Sequence, residues 1–399
     1  MNMNVFTKLI AKPKVIIITF LVLAIFCSFQ SFFLKVKTFD DNGMKYTKYN
    51  NYIIFKQSFN HLNENKDLYQ LYPKEYRDLY KYSPTFSMFF GIFRMFPDII
   101  GLNLWNIFNA LVFLIAVYYL PNLNNIQKGL ILIICLLEFM TSTQNQQSNV
   151  LVAGLMILTF GLLEKQNYVL ATFCIVFSIY IKLFGIVGLA LFLFYPKKWK
   201  LVLYTFGWSL VLFVLPLVLI DFDQLKFLYS SWGHLLENDQ TASYGYSVMG
   251  WLHSWFGFEF NKLLITIIGV ILFLIPLLRF KEYKNYTFKL LTLTSILLWV
   301  VIFNHKAESP TFIIAMAGVS IWFIMSKKDI LNIILFVSAI ILTSLSPTDI
   351  FPRFLFDEYV NPYMLKVFPC ILIWLKIIYD MCVIKADRKE LENDRQLII

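Results

Sequence analysis

Charge is scarce in this chain: Asp, Glu, Lys and Arg make up only 15% of its 399 residues, too little to cover a water-soluble domain of that length. Cysteine is scarce as well. All five, Cys27, Cys135, Cys174, Cys370 and Cys382, lie in apolar stretches, so neither a disulfide framework nor a CxxC metal site can be read. The four histidines, His61, His234, His253 and His305, have no ligand spacing to one another. HExxH, GxGxxG and P-loop patterns are missing, which removes the usual support for zinc hydrolases, Rossmann enzymes and ATP-driven pumps. No metal and no cofactor is expected. The excess of 35 Lys and Arg over 25 Asp and Glu, +10 in all, falls between apolar blocks rather than in runs, so it reads as cytoplasmic loops facing anionic headgroups and not as a nucleic-acid arm.

What the chain has in abundance is apolar surface, with 58% of residues in the hydrophobic set and a mean hydropathy of +0.64. A helix needs roughly 20 residues to cross the hydrocarbon, so the apolar blocks provide about 11–13 transmembrane helices of an all-α polytopic membrane protein. A β-barrel would show short alternating segments, and these blocks are continuous. The 41 Phe, 22 Tyr and 9 Trp fit aromatic belts at the two interfaces, with some ring surfaces left to face a lipid or sugar.

The block at residues 15–34 follows Lys8, Lys12 and Lys14 and reads as an uncleaved anchor with the N-terminus cytoplasmic. Residues 35–83 form a large first outer loop. Within it Tyr52, Phe55, Phe59 and Leu62, then Tyr72, Tyr76, Leu79 and Tyr80, recur at helical spacing, which predicts two short helices on the membrane surface. From Lys197 onward the basic loops fix the orientation: residues 221–261 form a second large outer loop, and the tail 385–399 is cytoplasmic. Residues 1–399 are read as a single integral membrane domain of a bacterial inner membrane. Between Pro84 and Tyr195 two assignments stand, because residues 85–96 can either span or dip. One puts the polar loop at residues 142–149 outside and the other inside. Short, interrupted helices with polar joints are tolerated where they wall a cavity.

Lys182 interrupts an apolar stretch where a lysine costs about 2.5–3.5 kcal/mol at mid-membrane on insertion scales, so it needs an anionic partner or a wet cavity. With Lys81 and Lys306 it would suit a phosphate headgroup. The run Gln144-Asn145-Gln146-Gln147-Ser148-Asn149 is rich in uncharged amides, good chemistry for sugar hydroxyls and equally good for helix caps. The late turn Asn304-His305-Lys306-Ala307-Glu308 packs three titratable residues between Phe303 and Pro310, against helix ends at the lipid boundary.

Several of these pieces together resemble a family. Asp67-Leu68-Tyr69, Tyr80-Lys81-Tyr82-Ser83-Pro84, Gln146-Gln147-Ser148-Asn149 opening an apolar helix, Ile181-Lys182-Leu183, and Tyr246-Ser247-Val248-Met249-Gly250-Trp251-Leu252 are similar in order and spacing to glycosyltransferase family 87. These are polyprenol-phosphate-mannose-dependent mannosyltransferases of the GT-C fold. The resemblance implies inverting, metal-independent transfer of a hexose, mannose-like, from a polyprenyl-phosphate sugar donor to a glycolipid or glycan acceptor at the outer face. It further implies donor-phosphate contacts from Lys182, Lys81, Lys306 and Tyr82, and sugar or acceptor contacts from Asn51, Gln146, Gln147 and Asn149. The family's acid in the first outer loop is expected where this chain has Asn51, and an amide cannot be a general base. Asp41 is then the first candidate for the base, with His305, Glu308 and Asp40 as alternates. The rival class is a transporter or flippase of lipid-linked sugars, which should show internal repeats and a polar path through both faces; this chain shows neither.

Overall fold

The computed structural model describes residues 5–34, 37–38, 44–238, 243–259 and 261–384. Asp40, Asp41, Asp239 and the tail 385–399 therefore lie outside the described residues. The chain divides into two compact units, unit 1 comprising residues 1–187, 197–243 and 309–314, and unit 2 residues 188–196, 244–308 and 315–399. Among the described residues, three helices are long and apolar enough to cross a membrane alone: Pro13–Phe33, Asp98–Tyr119 and Lys198–Val218. The pair Asn125–Ile134 and Leu136–Gln144, bent by 49°, makes a fourth if it counts as one span, and seven shorter apolar helices accompany them. The β structure described is one antiparallel pairing of Lys37–Thr38 with Lys45–Tyr46. The chain is an all-α integral membrane protein.

In unit 1, α1 (Pro13–Phe33) begins with proline at its first turn and ends where Leu34 turns extended. The surface helix α2 (Asn50–Asn63) buries Tyr52, Phe55 and Leu62 on one face and keeps Asn, Gln and Lys on the others. The second surface helix expected at residues 72–80 does not form; the segment is a series of turns. Pro73 interrupts it and Asp78 takes φ +80, while Tyr72 spends its hydroxyl on the Asp67 carbonyl at 2.7 Å.

Next comes α3 (Pro84–Arg94), started by Pro84 and by the Ser83 hydroxyl accepting from the Phe86 amide. Its 11 residues reach only about 16 Å, half a bilayer core. It lies along α2: Phe55 and Phe86 meet edge to face at 5.2 Å, and Arg94 donates to Asn60 at 2.6 Å. The Lys56–Asp98 ion pair at 2.5 Å then ties α2 to the start of α4 (Asp98–Tyr119). Residues 85–96 thus dip and do not span, and α4 starts at the end of the unit where α1 finishes.

That choice carries the next turn with it. The bent pair α5 (Asn125–Ile134) and α6 (Leu136–Gln144) leads to residues 145–148, from which α7 (Asn149–Glu164) departs. Trp105 of α4 donates to the Gln146 carbonyl at 2.8 Å and Asn51 to the Asn145 carbonyl at 2.8 Å. The 142–149 loop therefore lies at the same end of unit 1 as the start of α2. The remaining helices of the unit are α8 (Tyr168–Ile181), α9 (Lys198–Val214) and α10 (Phe222–Asn238). At the opposite end, Lys128 donates to the Tyr118 carbonyl at 2.7 Å and Lys165 sits 3.5 Å over the Tyr119 ring, cations placed at the carbonyl end of α4 where its dipole is negative.

Unit 2 holds α11 (Val248–Phe256), α12 (Lys262–Leu277), α13 (Tyr286–Ile302), α14 (Phe312–Met325, from Ala315 onward), α15 (Ile330–Ser338) and α16 (Phe368–Val383). Trp374 of α16 donates to Ser295 of α13 at 3.0 Å. The helix of α15 continues as a π-helix, Ala339–Leu345, beside the fully buried Lys366, whose ammonium donates to the Thr343 carbonyl at 2.7 Å.

Candidate active site

The end of unit 1 that carries residues 44–83 also collects six of the residues singled out from sequence: Lys182, Tyr82, Gln147, Asn149, Asn51 and Gln146. Helix α8 stops at Ile181 because Lys182 turns extended, φ −142 and ψ 119. The chain then folds back on the helix it has left: a Cβ at Gly185 would stand 2.5 Å from the Ser178 hydroxyl, so only glycine allows the turn. Lys182 is half-buried there and donates to the Asn149 side-chain oxygen at 2.6 Å. Asn149, fully buried at the start of α7, is itself fixed, its Nδ2 reaching Gln147 Oε1 at 2.5 Å and the Pro310 carbonyl at 3.0 Å. The Tyr82 ring lies 5.9 Å and the Phe184 ring 5.8 Å from the Lys182 nitrogen, at the outer limit of cation–π attraction. Ser148 reaches the Tyr82 hydroxyl at 3.4 Å, and Tyr69 donates to the Tyr82 carbonyl at 3.0 Å. The Asn149 oxygen and the two rings hold the ammonium in one direction in a partly dehydrated place.

On the other side of the same turn lies a pocket of about 400 Å³ lined by Gln30, Ser31, Leu34, Thr47, Lys48, Asn50, Asn51, Gln144, Asn145 and Gln146. Asn51 and Gln146, separated by most of a hundred residues, line it together. Gln146 makes the turn possible by taking φ +51, and its Nε2 donates to Ser31 at 2.9 Å. Gln144 donates to Gln30 at 2.6 Å. Gln30 and Ser31 escaped the sequence reading because they sit inside an otherwise apolar span, where nothing local distinguishes a pocket wall from a helix interior.

Lys81 is exposed beside Asp78 at 3.3 Å, and only its chain position beside Tyr82 links it to the cluster. His305, Lys306 and Glu308 belong to unit 2. Their turn is clamped by the segment before α11: Tyr246 N donates to the Ala307 carbonyl at 2.9 Å, and Gly245, at φ +54, packs so closely that a Cβ would lie 2.7 Å from the His305 carbonyl. His305 is half-buried with Nε2 enclosed and lacking a hydrogen-bond partner. Burial, helped by the nearby Lys262 charge, holds its pKa below the ordinary imidazole value, so the ring is neutral and able to accept a proton.

One titratable pair was not legible in the sequence. His61 of α2 is buried against the Tyr72 ring, centroids 3.9 Å apart, with Nε2 2.9 Å from Glu75. Burial lowers its pKa and the Glu75 charge opposes that only in part. Asp67, of the Asp67-Leu68-Tyr69 motif, accepts from the Ser231 hydroxyl on both oxygens at 2.9 Å and from the Tyr69 amide at 3.1 Å; it ties the segment after α2 to α10. Among the described residues no group of three or more His, Cys, Asp or Glu could hold a metal ion.

A family model described as glycosyltransferase family 87 matches residues 80–303, more than half of the chain. No curated protein matches it. Among solved structures, the chain is similar to the apo oligosaccharyltransferase of Archaeoglobus fulgidus at 10% identity and a TM-score of 0.43, covering 92% of this chain and 56% of that one. It is similar also to the archaeal oligosaccharyltransferase AglB from Archaeoglobus fulgidus in complex with an inhibitory peptide and a dolichol-phosphate, at 12% identity and a TM-score of 0.42, with the same 92% and 56% coverage. The chain thus spans little more than half the length of those proteins.

Proposed function

Because the chain belongs to glycosyltransferase family 87, we propose that it is a membrane glycosyltransferase of the GT-C fold that moves a hexose, mannose-like, from a polyprenyl-phosphate donor to a glycolipid or glycan acceptor at the outer membrane face, with inversion. The observation that carries this reading is the Lys182 cluster, with Nζ 2.6 Å from Asn149 Oδ1 and 5.9 Å from the Tyr82 ring. A cation so placed at the lipid boundary suits a phosphate whose sugar is in the aqueous phase and whose prenyl chain is in the membrane.

In this mechanism the acceptor hydroxyl attacks the anomeric carbon from the face opposite the phosphate. The new C–O bond forms as the old one breaks, and its electron pair leaves on the phosphate oxygen. The phosphate gains one negative charge in that step. Lys182, with Lys81 and Lys306, stabilises this charge, so the leaving group needs cations more than an acid. The hydroxyl proton goes to a base, Asp41 as first choice, with His305, Glu308 and Asp40 as alternates. His305 gains support from its neutral imidazole and enclosed Nε2. Asn51, Gln146 and Gln147 hold sugar or acceptor hydroxyls by their amides, while Asn149, fully buried with both ends of its amide engaged, acts by orienting Lys182.

The test is the full chain in proteoliposomes with labelled polyprenyl-phosphate mannose and a membrane lipid extract, without an ion gradient. Label should pass into a new, phosphate-free glycosidic linkage. Movement of the labelled lipid across the bilayer with no bond formed would refute the reading in favour of a flippase.

A further inference from the structure

We propose that the pocket between the end of α1, the start of α2 and the 144–146 turn is a subsite for an uncharged saccharide unit of the acceptor, separate from the donor phosphate. The inference rests on the glycosyl-transfer reading for its biological sense and on the pocket's own chemistry for its ligand class. Its volume of about 400 Å³ is within the range of small-ligand sites, yet its lining is unlike the apolar lining of most of them. Six of the ten lining residues are Asn or Gln, none is acidic, and one, Lys48, is cationic.

Asn50 spends both ends of its amide on Arg77, but three of the others are half used. Asn51 gives its Nδ2 to the Asn145 carbonyl, Gln146 its Nε2 to Ser31, and Gln30 its Oε1 to Gln144. What is left for a ligand is Oδ1 of Asn51, Oε1 of Gln146 and the amide hydrogens of Gln30, acceptors and donors mixed on one wall. Sugar hydroxyls, each both donor and acceptor, match that mixture. A phosphate would meet carbonyl oxygens that repel it.

The turn itself separates the two functions. Gln144, Asn145 and Gln146 face the pocket, while Ser148 and Asn149 face Tyr82 and Lys182. The left-handed Gln146 between them, φ +51, is the kind of uncommon non-glycine conformation that clusters at ligand clamps.

The experiment uses the full chain in nanodiscs and saturation-transfer NMR with four neutral disaccharides, mannobiose, cellobiose, maltose and lactose, and with mannose 6-phosphate as the anionic probe. At least one neutral disaccharide should bind, and mannose 6-phosphate should not displace it. Asn51→Leu and Gln30→Leu should each weaken that binding about fivefold or more, as for loss of one hydrogen bond, while in Gln30→Leu binding of short-chain polyprenyl-phosphate mannose stays within about twofold. As a check independent of those variants, the bound disaccharide should slow thiol labelling of Asn145→Cys, an exposed position. The proposal is overturned if no neutral disaccharide binds, if both leucine variants bind it undiminished, or if Asn145→Cys is not protected. A disaccharide that binds and is lost in Asn51→Leu, in a protein that never transfers sugar from the lipid donor, sinks the glycosyl-transfer reading and leaves the pocket assignment standing.

Discussion

Lys182→Met keeps the length of the side chain and removes its charge, which makes it the sharpest probe of the donor site. In the structure the ammonium has an amide partner, Asn149 Oδ1 at 2.6 Å, and is half-buried. A charge-assisted hydrogen bond in such a place contributes about 1.5–3 kcal/mol, so donor affinity should fall about 10- to 150-fold. Stability should change far less. Methionine leaves Asn149 Oδ1 short of a donor, a cost of about 1–3 kcal/mol, but it also removes a half-buried charge whose desolvation opposes folding. Asn149 Nδ2 keeps its bonds to Gln147 and Pro310, so the start of α7 stays in place. Lys182→Arg retains charge but exchanges a point ammonium for a planar fork, and should be intermediate. The assay is equilibrium binding of a short-chain polyprenyl-phosphate sugar at two salt concentrations, with thermal unfolding beside it. The reasoning fails if folded Lys182→Met binds donor within twofold of the parent, or if the parent's affinity is insensitive to salt.

For the base, Asp41→Asn should leave donor bound while turnover falls about 10²-fold or more; if it stays active and His305→Gln or Glu308→Gln is dead with donor bound, the base is in the late turn. If the base is His305, whose pKa burial and Lys262 hold below the ordinary 6.5, the neutral form prevails above that ordinary value and is lost as pH falls through the lowered one, so turnover should drop on the acid side. His61 has the same sign through its own burial, so melting temperature should fall in the same acid window, and less in His61→Gln than in the parent. Gly245→Ala places a Cβ 2.7 Å from the His305 carbonyl at φ +54 and should cost about 1–3 kcal/mol; an equally stable variant would mean that the 304–308 turn is not clamped as described. Membrane-impermeant thiol labelling should reach cysteines placed at Asn145 and Asp67 from one side and at Lys165 only from the other, the native cysteines being buried apart from the half-buried Cys382; labelling of Asn145 and Lys165 from the same side would contradict the dip of α3.

Much of this was legible because hydropathy and helix signals are local. Apolar runs follow from composition within 20 residues, Ser83-Pro84 announces α3 whatever surrounds it, and Lys182 stands out because its neighbours are apolar. The motifs around Tyr82, Asn149 and Lys182 were readable as a set for the same reason, and three of them do meet through side chains in unit 1. Periodicity failed at residues 72–80, where tyrosines at helical spacing are held by turns: a hydroxyl bond from Tyr72 to Asp67 and a proline outweigh a weak propensity.

The sequence by itself determined that this is a helical membrane protein with the ordered motifs of glycosyltransferase family 87 and a lysine set in an apolar stretch, since solvent transfer and a family's ordered motifs need no coordinates. It could not decide whether residues 85–96 span or dip, because a 12-residue apolar block is compatible with both, and the answer came from what the block packs on: Phe55, Asn60 and the Lys56–Asp98 pair. Only tertiary structure set Asn51 beside Gln146 and half-used their amides, and gave His61 a partner in Glu75. Those pairings join residues far apart in the chain, and which of a side chain's hydrogen bonds remain for a ligand depends on neighbours that no local pattern records.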